Sequence, residues 1–327
     1  MTEFELIRRY FTRPPADPIR VPLGVGDDCA LLAPKPGMQL AISSDMLVEG
    51  RHFLSTVEPD RLGHKALAVN LSDLAACGAR PLAFTLALAL PEADADWLEA
   101  FARGLLALAD AHGCALIGGD VTRGPLNICI TAIGEVPAGL ALRRDGARPG
   151  DEIWVSGTVG DARLALEVFR GRLSVPQQVF DAARRRMECP EPRVALGLAL
   201  RGLATSAIDI SDGLAGDLGH VLAGSGCGAT IAWPDAFETI AAQRQWKPSE
   251  ADFSSENWQS LVLAGGDDYE LCFTAAPERA AEVEAAAVAA ATPVRRIGRI
   301  DAAPGLRVVD SAGHPVDGSW RGFDHFG

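Results

Sequence analysis

Apolar and polar positions along this chain follow two rhythms, one of period two and one of helical period. Apolar runs predict short buried strands at 39–43, 82–90, 114–117 and 127–136. Helical spacing predicts helices at 62–77 and 95–112, the second closed by Gly113. Further on, the pattern predicts strands at 152–156, 207–210, 269–274 and 294–300. It predicts helices at 161–169 and 277–290, and one running to Leu222 with Ser211 or Asp212 as its N-cap. Residues 232–256, with Pro and Trp, read as irregular. Alternating elements of both kinds indicate a mixed α/β or α+β class.

At 327 residues, 48% of them hydrophobic, the chain has material for two domains. The polar stretch Arg144-Asp145-Gly146-Ala147-Arg148-Pro149-Gly150-Asp151 is the best boundary, giving domains at 1–143 and 150–327. A net charge of −13 argues against nucleic-acid or anionic-membrane binding through bulk charge. It leaves anionic ligands open, because metal ions invert the local field.

Three lysines occur, Lys35, Lys65 and Lys247, and none sits in a P-loop frame. No Rossmann glycine fingerprint follows a strand. Seven scattered cysteines without a C-x-x-C pair read as reduced core thiols. An early acidic residue, no apolar leader and no long apolar span predict a cytoplasmic protein outside the membrane.

The informative acids stand at the ends of apolar elements. They are Asp27 and Asp28 after Gly26, Asp45 after a strand, Asp73 inside an apolar helix, and Asp120 after Gly118-Gly119. In the second half Asp209 and Asp212 bracket Ile210-Ser211, and Asp267 and Asp268 follow Gly265-Gly266. Isolated carboxylates in apolar settings are costly to bury. Divalent cations answer this, and Mg²⁺ commonly joins one or two carboxylates to substrate phosphates. Each motif also has a plainer reading. Gly-Asp-Asp is usually a turn, Ser211-Asp212 a helix cap, Asp73 part of a polar core network, and Arg144 a surface arginine. As an ordered set they point to nucleotide and Mg²⁺ chemistry. The glycines would let amides approach a phosphate, and Arg144 could clamp one. His52 is open as a base, a substrate donor or a packing residue. The echo of Gly26-Asp27-Asp28 in Gly266-Asp267-Asp268 is weak evidence for duplication.

Read in order, these motifs resemble the thiamine-monophosphate kinase family. The resemblance runs through Gly26-Asp27-Asp28, Ser43-Ser44-Asp45 to Phe53, Lys65 to Ala76, Leu116 to Pro125, Asp209 to Leu214, Gly265 to Leu271, and Trp320 to Phe326. It implies the two-domain fold of aminoimidazole ribonucleotide synthetase, with the N-terminal half forming a β-barrel across a homodimer. It implies in-line transfer of the ATP γ-phosphate to thiamine monophosphate, with no dedicated base. It implies several Mg²⁺ ions on Asp28, Ser43, Ser44, Asp45, Asp73, Asp120, Asp209 and Asp212, with Asp120 and Asp212 most critical. Gly119, Asp120, Arg144 and Ser211 would contact ATP. His52, Asp267, Trp320 and Phe323 would contact the thiamine side. Ser44 replaces the family's usual Thr and keeps the hydroxyl. Asp267 replaces the usual Glu and draws the carboxylate back by about 1.5 Å, which opens a water-mediated alternative to direct contact. Superfamily cyclo-ligases, selenophosphate synthetases and a silent nucleotide- or thiamine-binding module are the competing readings.

Overall fold

The computed structural model describes residues 2–14, 16–250, 253–318, 320 and 322. The chain divides into two compact units, Met1–Leu74 with Ala79–Ala141, and Ala75–Gly78 with Leu142–Gly327. Among the described residues no helix is long and apolar enough to cross a membrane.

The first unit opens with α1 (Glu3–Leu6), which runs into a π-helical turn, Ile7–Phe11. A capping box starts it: the Thr2 hydroxyl accepts the Glu5 amide, and Glu5 accepts the Thr2 amide. Then follow β1 (Met38–Val48), α2 (Pro59–Ala76), β2 (Arg80–Leu90), α3 (Ala95–Ala111), β3 (Ala115–Arg123) and β4 (Asn127–Pro137). The sheet order is β1-β4-β2-β3. Only β2 and β3 are parallel, and α3 is the crossover that a parallel pair requires. The Asp94 side chain caps α3. Leu98, Phe101, Ala102, Leu105 and Leu108 line its buried face at helical spacing.

Strand alternation divides the sheet residues between two faces. Leu47, Ile128, Ile130, Leu86 and Leu88 are buried on the face that α2 covers. The opposite face carries Leu40, Ile42 and Met46 at 44%, 64% and 53% exposure.

The second unit comprises β5 (Glu152–Ser156), α4 (Asp161–Phe169), α5 (Gln177–Glu188), α6 (Val194–Ala199), β6 (Ser206–Asp209) and α7 (Leu214–Ser225). It continues with β7 (Gly228–Ala232), α8 (Trp233–Phe237), α9 (Ala242–Gln245), α10 (Ser255–Ala264) and β8 (Leu271–Ala275). The last elements are α11 (Ala280–Ala289), β9 (Val294–Asp301) and β10 (Gly305–Val309). Its sheet order is β10-β7-β9-β5-β8-β6. Every residue of β5, β6 and β8 is buried, as expected where layers cover both faces.

The structure departs from the sequence expectations at several places. Helices α5 and α6 and strand β10 were not expected. The stretch 232–256 is only partly irregular: Phe237, Trp246, Phe253 and Trp258 pack ring on ring at 4.8–5.5 Å around α8, α9 and the start of α10, while the described residues between α9 and α10 form no helix or strand. Cysteines Cys114, Cys227 and Cys272 are buried as expected, but Cys29 and Cys77 are exposed. The two Gly-Asp-Asp motifs lie in unlike settings, an exposed turn and a buried junction before β8, so the echo carries no structural equivalence.

Candidate active site

Ser43, Ser44 and Asp45 are consecutive on β1, so their side chains alternate between sheet faces. Ser43 and Asp45 face α2. The Ser43 hydroxyl donates to Asp73 Oδ2. The Asp45 amide donates to Asn70 Oδ1 at 3.2 Å, and Asn70 Nδ2 donates to the Ala66 carbonyl at 3.0 Å. Asn70 is fully buried and lies one turn before Asp73, so a single face of α2 fixes β1 and presents the carboxylate. Burial, and then the adjacent Asp73 carboxylate, push the Asp45 pKa up to about 7. Ser44 points the other way. Its hydroxyl sits 3.0 Å from Thr131 Oγ1 and donates to the Ile130 carbonyl at 3.2 Å.

A second cluster surrounds a cavity of about 620 Å³. Asp27, Asp28, Gly118, Gly119 and Asp120 line one part of it. Phe4, Ile7 and Phe11 of the N-terminal segment line another. Asp27 and Asp28 are exposed on a turn, where Asp27 Oδ1 accepts the Asp28 amide at 2.7 Å. Gly118, Gly119 and Asp120 lie within β3 rather than after it, because the strand continues through a register shift opposite Phe84 and Thr85. Gly119 has φ 145°, and a Cβ there would sit 1.8 Å from the Leu86 carbonyl oxygen. Its glycine is therefore required by the neighbouring strand. The register places Asp45, Ile130, Leu86 and Gly119 in one row across the sheet. Asp120 occupies the next row, with Ala87, Cys129 and Met46, and is exposed.

His52 lies in the turn after β1. Its Nδ1 accepts the Val48 amide at 3.0 Å. A neutral ring so engaged carries its proton on Nε2 and presents a donor. The base reading of His52 loses its geometric support at that nitrogen.

In the second unit the two acidic motifs run side by side. The Ile210 amide donates to the Glu270 carbonyl, the Tyr269 amide to the Ile210 carbonyl, and the Asp267 amide to the Ser211 carbonyl, each at 2.8 Å. A Cβ on Gly266 would lie 2.3 Å from the Ser211 carbonyl oxygen, so glycine permits this approach. Asp209 is buried at the end of β6, while Ser211 and Asp212 are half-buried. Neither caps α7, contrary to the sequence expectation, because Gly213 takes the cap position without a side-chain bond. Instead Asp217 Oδ2, one turn into the helix, accepts the amides of Ser211, Asp212 and Gly213 at 3.0–3.1 Å. Burial pushes the Asp217 pKa up to about 6.

The segment from Asp267 to Glu270 alternates. Asp268 and Glu270 are fully buried, whereas Asp267 and Tyr269 are half-exposed with φ of 75° and 53°. Such dihedrals are sparsely populated for non-glycine residues and persist where surroundings enforce them. Asp268 Oδ2 accepts the Gly160 amide at 2.8 Å, and Oδ1 accepts the Ala162 amide at 3.4 Å, at the start of α4. Glu270 accepts from Arg186 and Arg193 and from the Ser156 hydroxyl, all at 2.6 Å. These inward carboxylates anchor the segment that displays Asp267. Arg144 is exposed, and its carbonyl accepts the Ser225 hydroxyl. Trp320 packs partly buried against the second unit's core. Phe323 lies outside the described residues.

The structure thus joins Ser43, Asp45 and Asp73, and separately Asp28, Gly119 and Asp120. The Ser44 hydroxyl bonds across the opposite face of the sheet, to Ile130 and Thr131. Asn70, Asp217, Asp268 and Glu270 were missed as positioning groups. The signal for Asp217 was an acid within an otherwise apolar helical stretch.

Residues 26–136 match the AIR synthase related protein, N-terminal domain, and residues 148–311 match the C-terminal domain of the same description. A thiamine-monophosphate kinase of Salmonella typhimurium is 46% identical over 99% of this chain and 98% of its own length. The crystal structure of thiamine-monophosphate kinase from Stenotrophomonas maltophilia K279a superposes with TM-score 0.82 at 43% identity, covering 96% of each chain. AaThiL complexed with AMPPCP and TMP gives TM-score 0.76 at 28% identity, covering 90% of this chain and 89% of that one. With both domains matched and near-complete coverage at such identity, this chain belongs to the thiamine-monophosphate kinase family, built on the two-domain AIR synthase-related fold.

Proposed function

We propose that this chain transfers the γ-phosphoryl group of ATP to thiamine monophosphate, giving ADP and thiamine diphosphate. Relatives of that name at 46% identity support it, as does the AaThiL structure holding AMPPCP and TMP. The observation that carries it here is the carboxylate-rimmed cavity, which unites Asp28, Gly119 and Asp120. Its volume of about 620 Å³ falls within the range of about 300–1,000 Å³ usual for small-molecule sites.

The donor set fits Mg²⁺. Asp45, Asp73 and Ser43 offer oxygen alone, and the two half-buried carboxylates lie side by side. Among the described residues no three acidic, His or Cys side chains form a closed metal cage. Open coordination completed by water and substrate phosphate is the usual habit of Mg²⁺. In this reading Asp28, Ser43, Ser44, Asp45, Asp73, Asp120, Asp209 and Asp212 hold the ions, with Ser44 contributing through its backbone. Bound Mg²⁺ supplies neutralisation of phosphate charge.

The chain's own groups then position the reactants. Gly119, Asp120, Arg144 and Ser211 contact ATP. His52 donates from Nε2 to the thiamine substrate, and Asp267, Trp320 and Phe323 complete that side. Asp217 and Asn70 hold the loops in register. A phosphate monoester is already largely ionised near neutral pH, so the transfer is in-line without a base.

The exposed apolar face of Leu40, Ile42 and Met46 supports a homodimer through the first sheet, with the barrel as its form. The seven cysteines form no disulfide, which fits a reducing cytoplasm. Incubation with ATP, Mg²⁺ and thiamine monophosphate tests the activity. Thiamine diphosphate absent above a no-enzyme control would remove this reading.

A further inference from the structure

Helix α5 carries three consecutive arginines in three different settings. Arg184 pairs with Glu188 one turn on, at 2.8 Å. Arg185 is exposed. Arg186 turns inward, toward the segment from Asp267 to Glu270. Its Nη2 donates to Glu270 Oε1 at 2.6 Å and to the Asp268 carbonyl at 3.4 Å. Glu270 does not depend on Arg186 for its neutralisation. Arg193 meets it with two nitrogens, Nε on Oε2 and Nη2 on Oε1, both at 2.6 Å, and the Ser156 hydroxyl adds a third bond. Arg186 also keeps its Nε buried with no acceptor among the described residues. A buried donor left unmade is costly, so pairing with Glu270 alone does not account for where Arg186 sits.

The backbone supplies the missing reason. The amide of Tyr269 donates to the Ile210 carbonyl at 2.8 Å. The carbonyl of the same peptide unit, that of Asp268, accepts from Arg186. The unit is thus held at both ends. It leads into Tyr269 with φ 53°, two residues after Asp267 with φ 75°. Left-handed dihedrals are unfavourable for such side chains and persist only under constraint. Without the bond from Arg186 the peptide unit is free to rotate. That rotation releases Tyr269 from the left-handed region and turns the chain that carries Asp267.

We propose that Arg186 is a positioning residue for the substrate side, holding the Asp268–Tyr269 peptide unit so that the Asp267 carboxylate meets thiamine monophosphate. This rests on the kinase reading and on Asp267 as its substrate contact. Arg193 neutralises Glu270, whereas Arg186 sets the display of Asp267 and acts through it.

The test is a double-mutant cycle on the full chain, with Arg186→Gln, Asp267→Ala and the two combined. Calorimetry reads the affinity for thiamine monophosphate, steady-state kinetics read KM and kcat, and melting curves verify folding. Should Arg186→Gln fail to fold, Arg186→Lys takes its place. It keeps a cation beside Glu270, and its shorter reach leaves the Asp268 carbonyl unbonded. Thiamine monophosphate should bind about tenfold more weakly to the Arg186 variant, the size of one lost charge-assisted bond. KM for ATP and kcat should hold. In the Asp267→Ala background the same substitution should cost nothing further. Unchanged affinity in the Arg186 variant overturns the proposal. Losses that simply add across the cycle also overturn it, because Arg186 would then act on the fold and not through Asp267. Wild type that binds thiamine monophosphate but forms no thiamine diphosphate sinks the kinase reading, and the calorimetric cycle still decides the coupling.

Discussion

The carboxylate of Asp217 accepts the backbone amide of Asp212 at 3.1 Å, and the same oxygen takes the amides of Ser211 and Gly213. One buried side chain thus fixes three consecutive peptide units of the loop bearing Ser211 and Asp212. Replacing it by Ala frees that loop. Small displacements of a positioning loop cost about 10²-fold in rate. Asp217→Ala should lower kcat/KM for ATP by about that factor, with Asp217→Asn intermediate because it keeps an acceptor. Steady-state kinetics on both variants decide the point. Wild-type turnover in Asp217→Ala would release Asp217 from this role.

Glu270 is fully buried between Arg186 and Arg193. Removing its charge leaves the largely buried Arg186 guanidinium without its ion-pair partner and Arg193 with Glu191 alone. Breaking such a buried arrangement costs about 3–5 kcal/mol. Glu270→Gln should lower stability by that amount in urea titrations. An unchanged midpoint would show that the arginines find other partners.

Asp268 gives a pH dependence. Burial, and secondarily the Asp161 carboxylate, raise its pKa well above the ordinary value, while the Gly160 and Ala162 amides and Arg186 oppose the shift. In the window above the unfolded pKa of 3.8 the native state holds the extra proton. The contribution of Asp268 to stability is therefore full below that pH and is lost as pH rises through the raised native pKa. Asp268→Asn removes this dependence. Melting temperatures from pH 4 upward should show wild type losing ground to Asp268→Asn as pH increases. A gap that moves in wild type's favour would reverse the sign.

Much of the first sheet was legible from sequence, because β2 is an apolar run bounded by prolines and helix α3 carries a regular apolar stripe. The acidic motifs were legible as a set because they stand at element ends. Their division of labour was not. Asp268 and Asp267 are adjacent in sequence, yet one caps α4 from inside and the other faces outward, a difference set by backbone dihedrals at 267 and 269. Ser43 and Ser44 divide similarly by strand alternation, which required the true extent of β1. Helix α5 was missed because Arg184, Arg185 and Arg186 mask its apolar stripe of Val179, Ala183 and Met187. The cap of α7 was misassigned because Gly213 takes the cap position, and Asp217 downstream holds the amides of Ser211, Asp212 and Gly213 that lead into the helix.

The open face of the first sheet bears Ile42 beside Met46 on β1. If this face pairs with its twin, Ile42→Asp places two like charges in an apolar interface. Sedimentation equilibrium should show a dimer for wild type and a monomer for Ile42→Asp at micromolar concentration. A monomeric wild type, or a variant that remains dimeric, would move the interface elsewhere.

In the proposed reaction ATP donates its γ-phosphoryl group directly to thiamine monophosphate. The most direct measurement supplies ATP labelled in the γ-phosphoryl group, with Mg²⁺ and thiamine monophosphate, and follows the label by mass spectrometry. The label should appear in the terminal phosphoryl group of thiamine diphosphate, with one ADP formed per product molecule. Label recovered only as inorganic phosphate, or no thiamine diphosphate at all, would contradict it.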